Sequence, residues 1–344
     1  MIKVSEKRIC RPRVGRRKGA SKVGQYTIGV DVGGTKIAYG LFDGNQNLIA
    51  KKKVPSDPSL EAEPFFDALA ESIQDMMREH HLSADQMRGI GIGMPSFILF
   101  EEGKILKTTN LTKIHDFPAR AYLMKKLGGM RVLLDNDTHV AALAEHKKGA
   151  GRGFQHMVYC AVSTGIASGI IIRNQLFRGR YGWAGETGHM LITPGQGIEC
   201  GCGNKGCFMS YCSGSMIVKH IRQKIAAGEK TRMTELAGSP EQITAVHIQQ
   251  AFDQGDPMAK WAVEQMAQYL AVWLYNLYQV LNINCFVFGG GLVHFGDRLF
   301  PRIRELFDQY NGNDLPVYFR FAELGEDFGI IGAAELLVSE TNCV

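Results

Sequence analysis

No run of eighteen consecutive apolar residues occurs in this chain, which excludes a helical membrane span. The nearest approach, Leu270 to Leu281, is broken by Asn276 and Gln279 and is expected to be a buried helix. The N-terminus lacks an apolar core segment, so no signal peptide is expected. No Gly-Lys-Ser/Thr pattern is present, which excludes a Walker loop. A disulfide framework is also missing. Of eight cysteines, Cys10, Cys160, Cys212, Cys285 and Cys343 are scattered without framework spacing, the usage expected in a reducing, cytoplasmic compartment.

What remains is a globular composition, 45% apolar and 21% charged, over 344 residues. That length suits two lobes rather than one small core. The net charge of +5 is unevenly spread. Residues 1–24 balance at +8, leaving the body at −3. Such a basic tail, with Pro12 and Gly15, is expected to be disordered. It reads either as a contact for nucleic acid or a membrane surface, or as a solvated extension. It is too short for a helix-turn-helix unit with its own core.

The first folded segment, Tyr26 to Val32, alternates and is β-branched, so it predicts a strand. Gly33-Gly34-Thr35 predicts a turn and Lys36 to Phe42 the return strand of a hairpin. Ser59 to His80 has helical spacing, with Phe65, Leu69, Ile73 and Met76 on one face. Gly89 to Pro95 predicts a strand running into a loop, and Arg131 to Leu134 a short buried strand. Helices are expected at about 138–148, 257–281 and 329–338. The hairpin recurs as Val158 to Val162, a turn over Ser163 to Ala167, and Ser168 to Ile172. Two such units, one in each half, suggest a duplicated lobe. Cys285 to Phe288 predicts a buried strand feeding Gly289-Gly290-Gly291.

The densest chemistry is His189 followed by Cys200, Cys202 and Cys207. One His and three clustered Cys can close a tetrahedral zinc site, structural because no position stays open for substrate. The alternative is a set of free buried thiols. Glu186, three residues before the His, would project beside the metal-fixed loop. Turns of Gly with Ser or Thr present N–H groups and hydroxyls to an anion, although glycine turns also serve plain hairpins. Asp137 follows Asn136 at a strand end. A carboxylate there can take a proton from an attacking hydroxyl. Alternatively, the pair forms an Asx turn or helix N-cap.

These motifs, in this order, resemble the ROK family (repressors, open reading frames, kinases): Asp31 to Lys36, Asn136-Asp137, Ser163 to Gly165, Glu186 to His189, Cys200 to Cys207 and Gly289 to Gly291. The resemblance runs from about Tyr26 to Leu337. It implies an α/β fold of the actin-like ATPase (ribonuclease H-like) type, two lobes around a central cleft, with a zinc-binding loop. It implies ATP with Mg2+ in the cleft, structural Zn2+, and phosphoryl transfer to a hexose, deoxyhexose or N-acetylhexosamine hydroxyl. Asp137 would be the general base. Asn110, Asn136, Glu186 and His189 would contact sugar. Gly33, Gly34, Thr35, Lys36, Ser163, Thr164 and Gly165 would line the phosphates, and Gly289, Gly290 and Gly291 the adenosine. His189, Cys200, Cys202 and Cys207 would hold the metal. The lobes would span 25–137 and 138–328, with the zinc loop at 186–207 and helix 329–344 packed back on the first lobe. A homodimer or dimer of dimers is implied, with no nucleic-acid or membrane partner.

Three positions depart from the family pattern. Met209 stands where a sugar-binding Glu is usual. Ser163 and Ala167-Ser168 replace glycines in and after the second phosphate turn, and Pro95-Ser96 replaces Pro-Gly. The leading expectation is a hexose kinase. A sugar-sensing regulator and a non-catalytic sugar-binding zinc protein compete with it.

Overall fold

The computed structural model describes residues 25–339. The basic tail 1–24 and the last five residues of the expected terminal helix lie outside them. The chain runs β1 (Tyr26–Val32), β2 (Lys36–Phe42), β3 (Leu48–Pro55), α1 (Ala62–Glu79), β4 (Met87–Met94), β5 (Ser96–Leu99), β6 (Lys104–Thr108), β7 (His115–Phe117), α2 (Ala119–Lys126), β8 (Val132–Asn136) and α3 (Asp137–Lys147). It continues with β9 (Met157–Val162), β10 (Ile166–Ile172), β11 (Gln175–Phe177), α4 (Gly214–Ala226), α5 (Arg232–Ala237), α6 (Ala245–Asp253), α7 (Pro257–Leu281), β12 (Cys285–Gly289), α8 (Phe300–Asn311), β13 (Tyr318–Phe321) and α9 (Phe328–Ser339).

Two sheets share one plan. The first has the order β3-β2-β1-β4-β8 and the second β11-β10-β9-β12-β13. In each, an antiparallel three-strand meander is extended by two parallel strands. The duplication suggested by the two hairpins therefore extends through ten strands. This mixed α/β architecture is consistent with the two-lobed actin-like expectation. A small third sheet, β5-β6-β7, is inserted between β4 and β8, and nothing in the sequence reading places it.

The helices join the two sheets. Helix α9 lies against β1, β2 and β4, whereas α3 lies against β9 and β10, and the two helices pack on each other. Glycines make this contact close. A Cβ on Gly91 would collide with the Ala333 carbonyl oxygen, and one on Gly29 with that of Ile330. Gly29 of β1 and Gly91 of β4 thus let the α9 backbone approach the sheet. Because overfilling a packed core costs about 1–3 kcal/mol, Gly91→Ala is expected to lower the urea midpoint by that equivalent. An unchanged midpoint would mean that α9 shifts freely.

Helix α7 is buried along one side through Met266, Leu270, Trp273 and Leu277. Asp256 caps it by accepting from the Ala259 N–H at 2.9 Å, and Asn282 ends it in the left-handed region. Among the described residues no helix is long and apolar enough to cross a membrane. Helix α1 starts at Ala62, three residues later than its periodicity predicts. The Asp57 carboxylate instead accepts from the N–H and hydroxyl of Ser59, holding that segment in an Asx turn. The second hairpin turn is also shorter than expected, because Ile166 and Ala167 already pair with Val162 and Ala161.

Candidate active site

Parallel strand ends create the site, as the crevice beyond their carboxyl ends does in open α/β sheets. Asp31 on β1 lies opposite Gly93 of β4, which lies opposite Asp135 of β8. One row of pairing thus sets Asp31 near the start of α3, where Asn136 and Asp137 follow. Asn136 is the N-cap of α3. Its Oδ1 accepts from the Thr138 N–H at 2.8 Å and its Nδ2 donates to the Ser96 carbonyl at 3.2 Å. The capping alternative therefore holds for Asn136, and its side chain is largely committed to the fold.

Asp137 opens the helix itself and accepts from the Thr138 N–H at 2.9 Å. Its residue is half-buried, yet its carboxyl is enclosed enough for desolvation to hold its pKa above the ordinary value. Burial also raises Asp31, to about 6, and the Asp137 charge adds to this while Lys36 opposes it. Glu186 is raised by burial too, with His139 countering and Asp137 reinforcing the shift. Three carboxylates from β1, α3 and the loop after β11 therefore share one electrostatic neighbourhood.

The first glycine turn follows Asp31 directly, and the other two are joined to each other. In the first, Gly33 donates to the Lys36 carbonyl at 2.9 Å, and the Asn110 Cβ lies 3.2 Å from where a Gly34 Cβ would stand. Thr35 and Lys36 are exposed. In the second, Ser163 donates to the Gly165 carbonyl at 2.9 Å. The third is joined to it, because the Gly291 N–H donates to the Ser163 hydroxyl at 3.3 Å. Gly290 has φ 99°, a conformation that favours glycine. The start of α4 closes on the same turn, with Gly214 donating to the Ser163 carbonyl and the Ser215 hydroxyl to that of Thr164. A separate cavity of about 820 Å³, lined by Phe300, Arg304, Tyr318 and Phe321 among others, lies against α8 and β13 and includes no predicted site residue.

The Cys/His cluster converges. Donor atoms of His189, Cys200, Cys202 and Cys207 all lie within 4.8 Å of one another. Nδ1 of His189 is 3.5 Å from the Cys200 sulfur, and the Cys202 and Cys207 sulfurs are 3.5 Å apart. Sulfurs bound to one zinc at about 2.3 Å sit about 3.8 Å apart in a tetrahedron, so this donor set fits the ion. The other ring nitrogen of His189 faces a Glu186 oxygen at 3.9 Å.

Sequence reading missed several neighbours. Asp31 lay in plain view beside the first glycine turn. Lys107 stands over the Phe97 ring at 4.7 Å and acts electrostatically on Glu186 and His189. Asp135, His139 and Arg178 form a buried network next to Asp137. Within that network only Asp135, adjacent to the Asn136-Asp137 pair, carried a sequence signal.

The chain is similar to known proteins over most of its length. A Streptomyces coelicolor glucokinase is 33% identical over 316 residues, covering 90% of this chain and 96% of its own. A xylose repressor of Caldicellulosiruptor bescii is 29% identical, covering 82% of this chain and 70% of its own. The crystal structure of a ROK hexokinase from Thermus thermophilus, 32% identical, superposes with a TM-score of 0.78 over 93% of this chain and all of its own. That of a ROK family glucokinase from Streptomyces griseus in complex with glucose and AMPPNP, 31% identical, has a TM-score of 0.73 over 90% of this chain and 98% of its own. The ROK family pattern matches residues 27–340, and the chain belongs to that family.

Proposed function

We propose that this protein is an ATP-dependent sugar kinase that transfers the γ-phosphoryl group to a hexose hydroxyl. The observation that carries the reading is the desolvated Asp137 carboxylate, coupled to Asp31 and Glu186, with the first glycine turn directly after Asp31. In this reading the lobes 25–137 and 138–328 close on sugar and nucleotide. Asn110, Asn136, Glu186 and His189 orient the sugar. Asp137 takes the proton from the attacking hydroxyl. N–H groups and hydroxyls of Gly33 to Lys36 and Ser163 to Gly165 hold the phosphates, and Gly289 to Gly291 border the adenosine. The hard oxygen donor of Asp31 suits Mg2+, which when bound neutralises phosphate charge. Zn2+ at His189, Cys200, Cys202 and Cys207 stiffens the loop that begins at Glu186. A cytoplasmic homodimer or dimer of dimers belongs to the same reading.

The test is ADP release by purified protein against a panel of hexoses, deoxyhexoses and N-acetylhexosamines. No turnover with any sugar, together with measurable sugar binding, would favour the sugar-sensing regulator, a reading that the repressor relative keeps open.

Met209 bears on which sugar is preferred. It is half-buried and packs against the core around α7, with its methyl group 3.4 Å from where a Gly165 Cβ would stand. Its neighbours Ser210 and Tyr211 carry hydroxyls in place of a carboxylate. Ser210 is buried, and the Tyr211 hydroxyl is bonded to Thr193. A thioether is a weak acceptor, and a hydrogen bond to a charged group contributes about 1.5–3 kcal/mol. Met209→Glu is therefore expected to lower the KM for glucose by about 10- to 150-fold relative to an N-acetyl or deoxy sugar. Efficient wild-type use of glucose, unchanged in the variant, would show that position 209 does not set specificity.

A further inference from the structure

Behind the three cleft carboxylates lies a buried ionic unit. Asp135, 1% exposed, is the penultimate residue of β8, just before Asn136 and Asp137. Its Oδ1 accepts from the Asn136 N–H at 2.8 Å and meets Nδ1 of His139 at 2.8 Å. Its Oδ2 accepts from Nε of Arg178 at 2.6 Å. The far nitrogen of His139, Nε2, lies 2.7 Å from the Ala184 carbonyl oxygen. That carbonyl can only accept, so Nε2 carries a proton. A carboxyl facing a guanidinium and a backbone N–H is ionised and also only accepts, so Nδ1 carries a proton as well. Both ring nitrogens are donors, and His139 is an imidazolium although it is 2% exposed.

Electrostatics agree with the geometry. Burial alone pulls the imidazole pKa down, and the Asp135 charge and bond more than restore it. Burial pushes Asp135 up, but His139 and Arg178 outweigh it and hold the carboxylate below its ordinary value. The unit carries one negative and two positive charges. Its net positive charge faces Asp137 and Glu186, both of which His139 holds toward the ionised form. Arg120 from α2 is the further charged group within its influence.

What the unit grips matters more than its charge. Arg178 and Ala184 are the two ends of one loop, closed by the Ala184 N–H donating to the Arg178 carbonyl at 3.0 Å. The Arg178 guanidinium also stacks on the Phe100 ring at 3.8 Å, tying in the segment after β5. Glu186 follows Ala184 by two residues. One carboxylate, Asp135, therefore anchors the base-bearing start of α3 and both ends of the loop that leads to Glu186.

We propose that Asp135, His139 and Arg178 form a positioning unit that sets Glu186 relative to Asp137, so that His139 and Arg178 govern sugar affinity more than the chemical step. The proposal rests on the sugar-kinase reading for its kinetic arm alone. Losing one charge-assisted anchor leaves Asp137 on α3 but releases the Glu186 loop.

The test uses His139→Gln, the milder Arg178→Lys, and the double variant, all in the full chain. Expected is a rise in sugar KM, and in sugar Kd by calorimetry, of about 10-fold or more, with kcat within about threefold. The double variant should cost no more than the worse single one, because both act through Asp135. Amide exchange should speed up in residues 178–187 and stay unchanged in α7. In wild type, imidazole nitrogen NMR at pH 7, above the ordinary imidazole midpoint, should find both His139 nitrogens still largely protonated. The proposal is overturned by a neutral His139 in that spectrum, by a KM that stays put while kcat or folded fraction falls, or by unchanged exchange in 178–187. If wild type phosphorylates no sugar, the kinase reading fails, while the NMR and exchange arms still decide this one.

Discussion

Asp137→Asn is expected to lower kcat by about 10²- to 10⁴-fold, the usual contribution of a positioned general base, while sugar affinity by calorimetry stays near wild type. The amide keeps the shape and can still accept from the Thr138 N–H, so α3 and its Asn136 cap are preserved. What is lost is the group that accepts the hydroxyl proton. The wild-type pH profile should carry the same signature. Burial holds the Asp137 pKa above the ordinary carboxylate range, and the neighbouring Asp31 is raised to about 6. The reactive form is the deprotonated one, so kcat/KM should fall as pH drops, with its midpoint above that of a free carboxylate.

The stability effect has the opposite sign. A carboxyl whose folded pKa is raised binds its proton more tightly in the folded state. Ionising it therefore destabilises the fold above the folded pKa, and this penalty vanishes below the unfolded pKa. At neutral pH, Asp137→Asn should unfold at an equal or higher temperature than wild type, and the difference should shrink as pH approaches 4. A variant that is both active and less stable would reduce Asp137 to a structural helix residue.

The parts of this molecule legible in its sequence are those set by local geometry. Tyr26 to Phe42 and Val158 to Ile172 read as hairpins because β-branched alternation brackets Gly and hydroxyl turns. The metal cluster reads from spacing alone. Its turn is local, with Gly203 and Gly206 in the left-handed region where glycine is favoured. The strands β5 to β7 were illegible because they are three to five residues long and partly polar, as in Lys104 to Thr108. Their pairing is decided by what they pack on. The Asp135–His139–Arg178 unit was illegible for the same reason. Arg178 is 43 residues from the carboxylate it meets, and an Arg in a polar loop looks like solvated surface until the fold buries it. The Gly-x-Gly-x-Gly run of β4 was seen as a strand, but its purpose became visible only with α9 laid across Gly91.

Removing the metal is expected to have the second-largest effect. Purified wild-type protein should contain one zinc per chain, held by His189, Cys200, Cys202 and Cys207. The donor separations fit a single tetrahedral ion. In small zinc domains the apparent binding energy is about 10–16 kcal/mol and becomes folding energy. Here the two large cores around α7 and α1 contain none of the four donor residues, so the loss should be centred on the loop. Apart from the metal, that loop is held by short backbone bonds, such as the Ile192 N–H to the Gly206 carbonyl at 2.9 Å and the Cys200 N–H to the Asn204 carbonyl at 2.8 Å. Residues 191–207 make isolated bridges, Leu191 with Cys207 and Glu199 with Lys205, rather than a sheet. Cys202→Ala with Cys207→Ala should abolish zinc by elemental analysis and speed amide exchange across 186–207. Sugar KM should rise, because His189 faces both the metal site and Glu186. Exchange in α7 should stay as in wild type. Reduced, carefully prepared protein without zinc would sink the assignment, and so would full zinc content in the double variant. Zinc lost with KM and loop exchange unchanged would mean that the metal is present but does not stiffen the sugar side of the cleft.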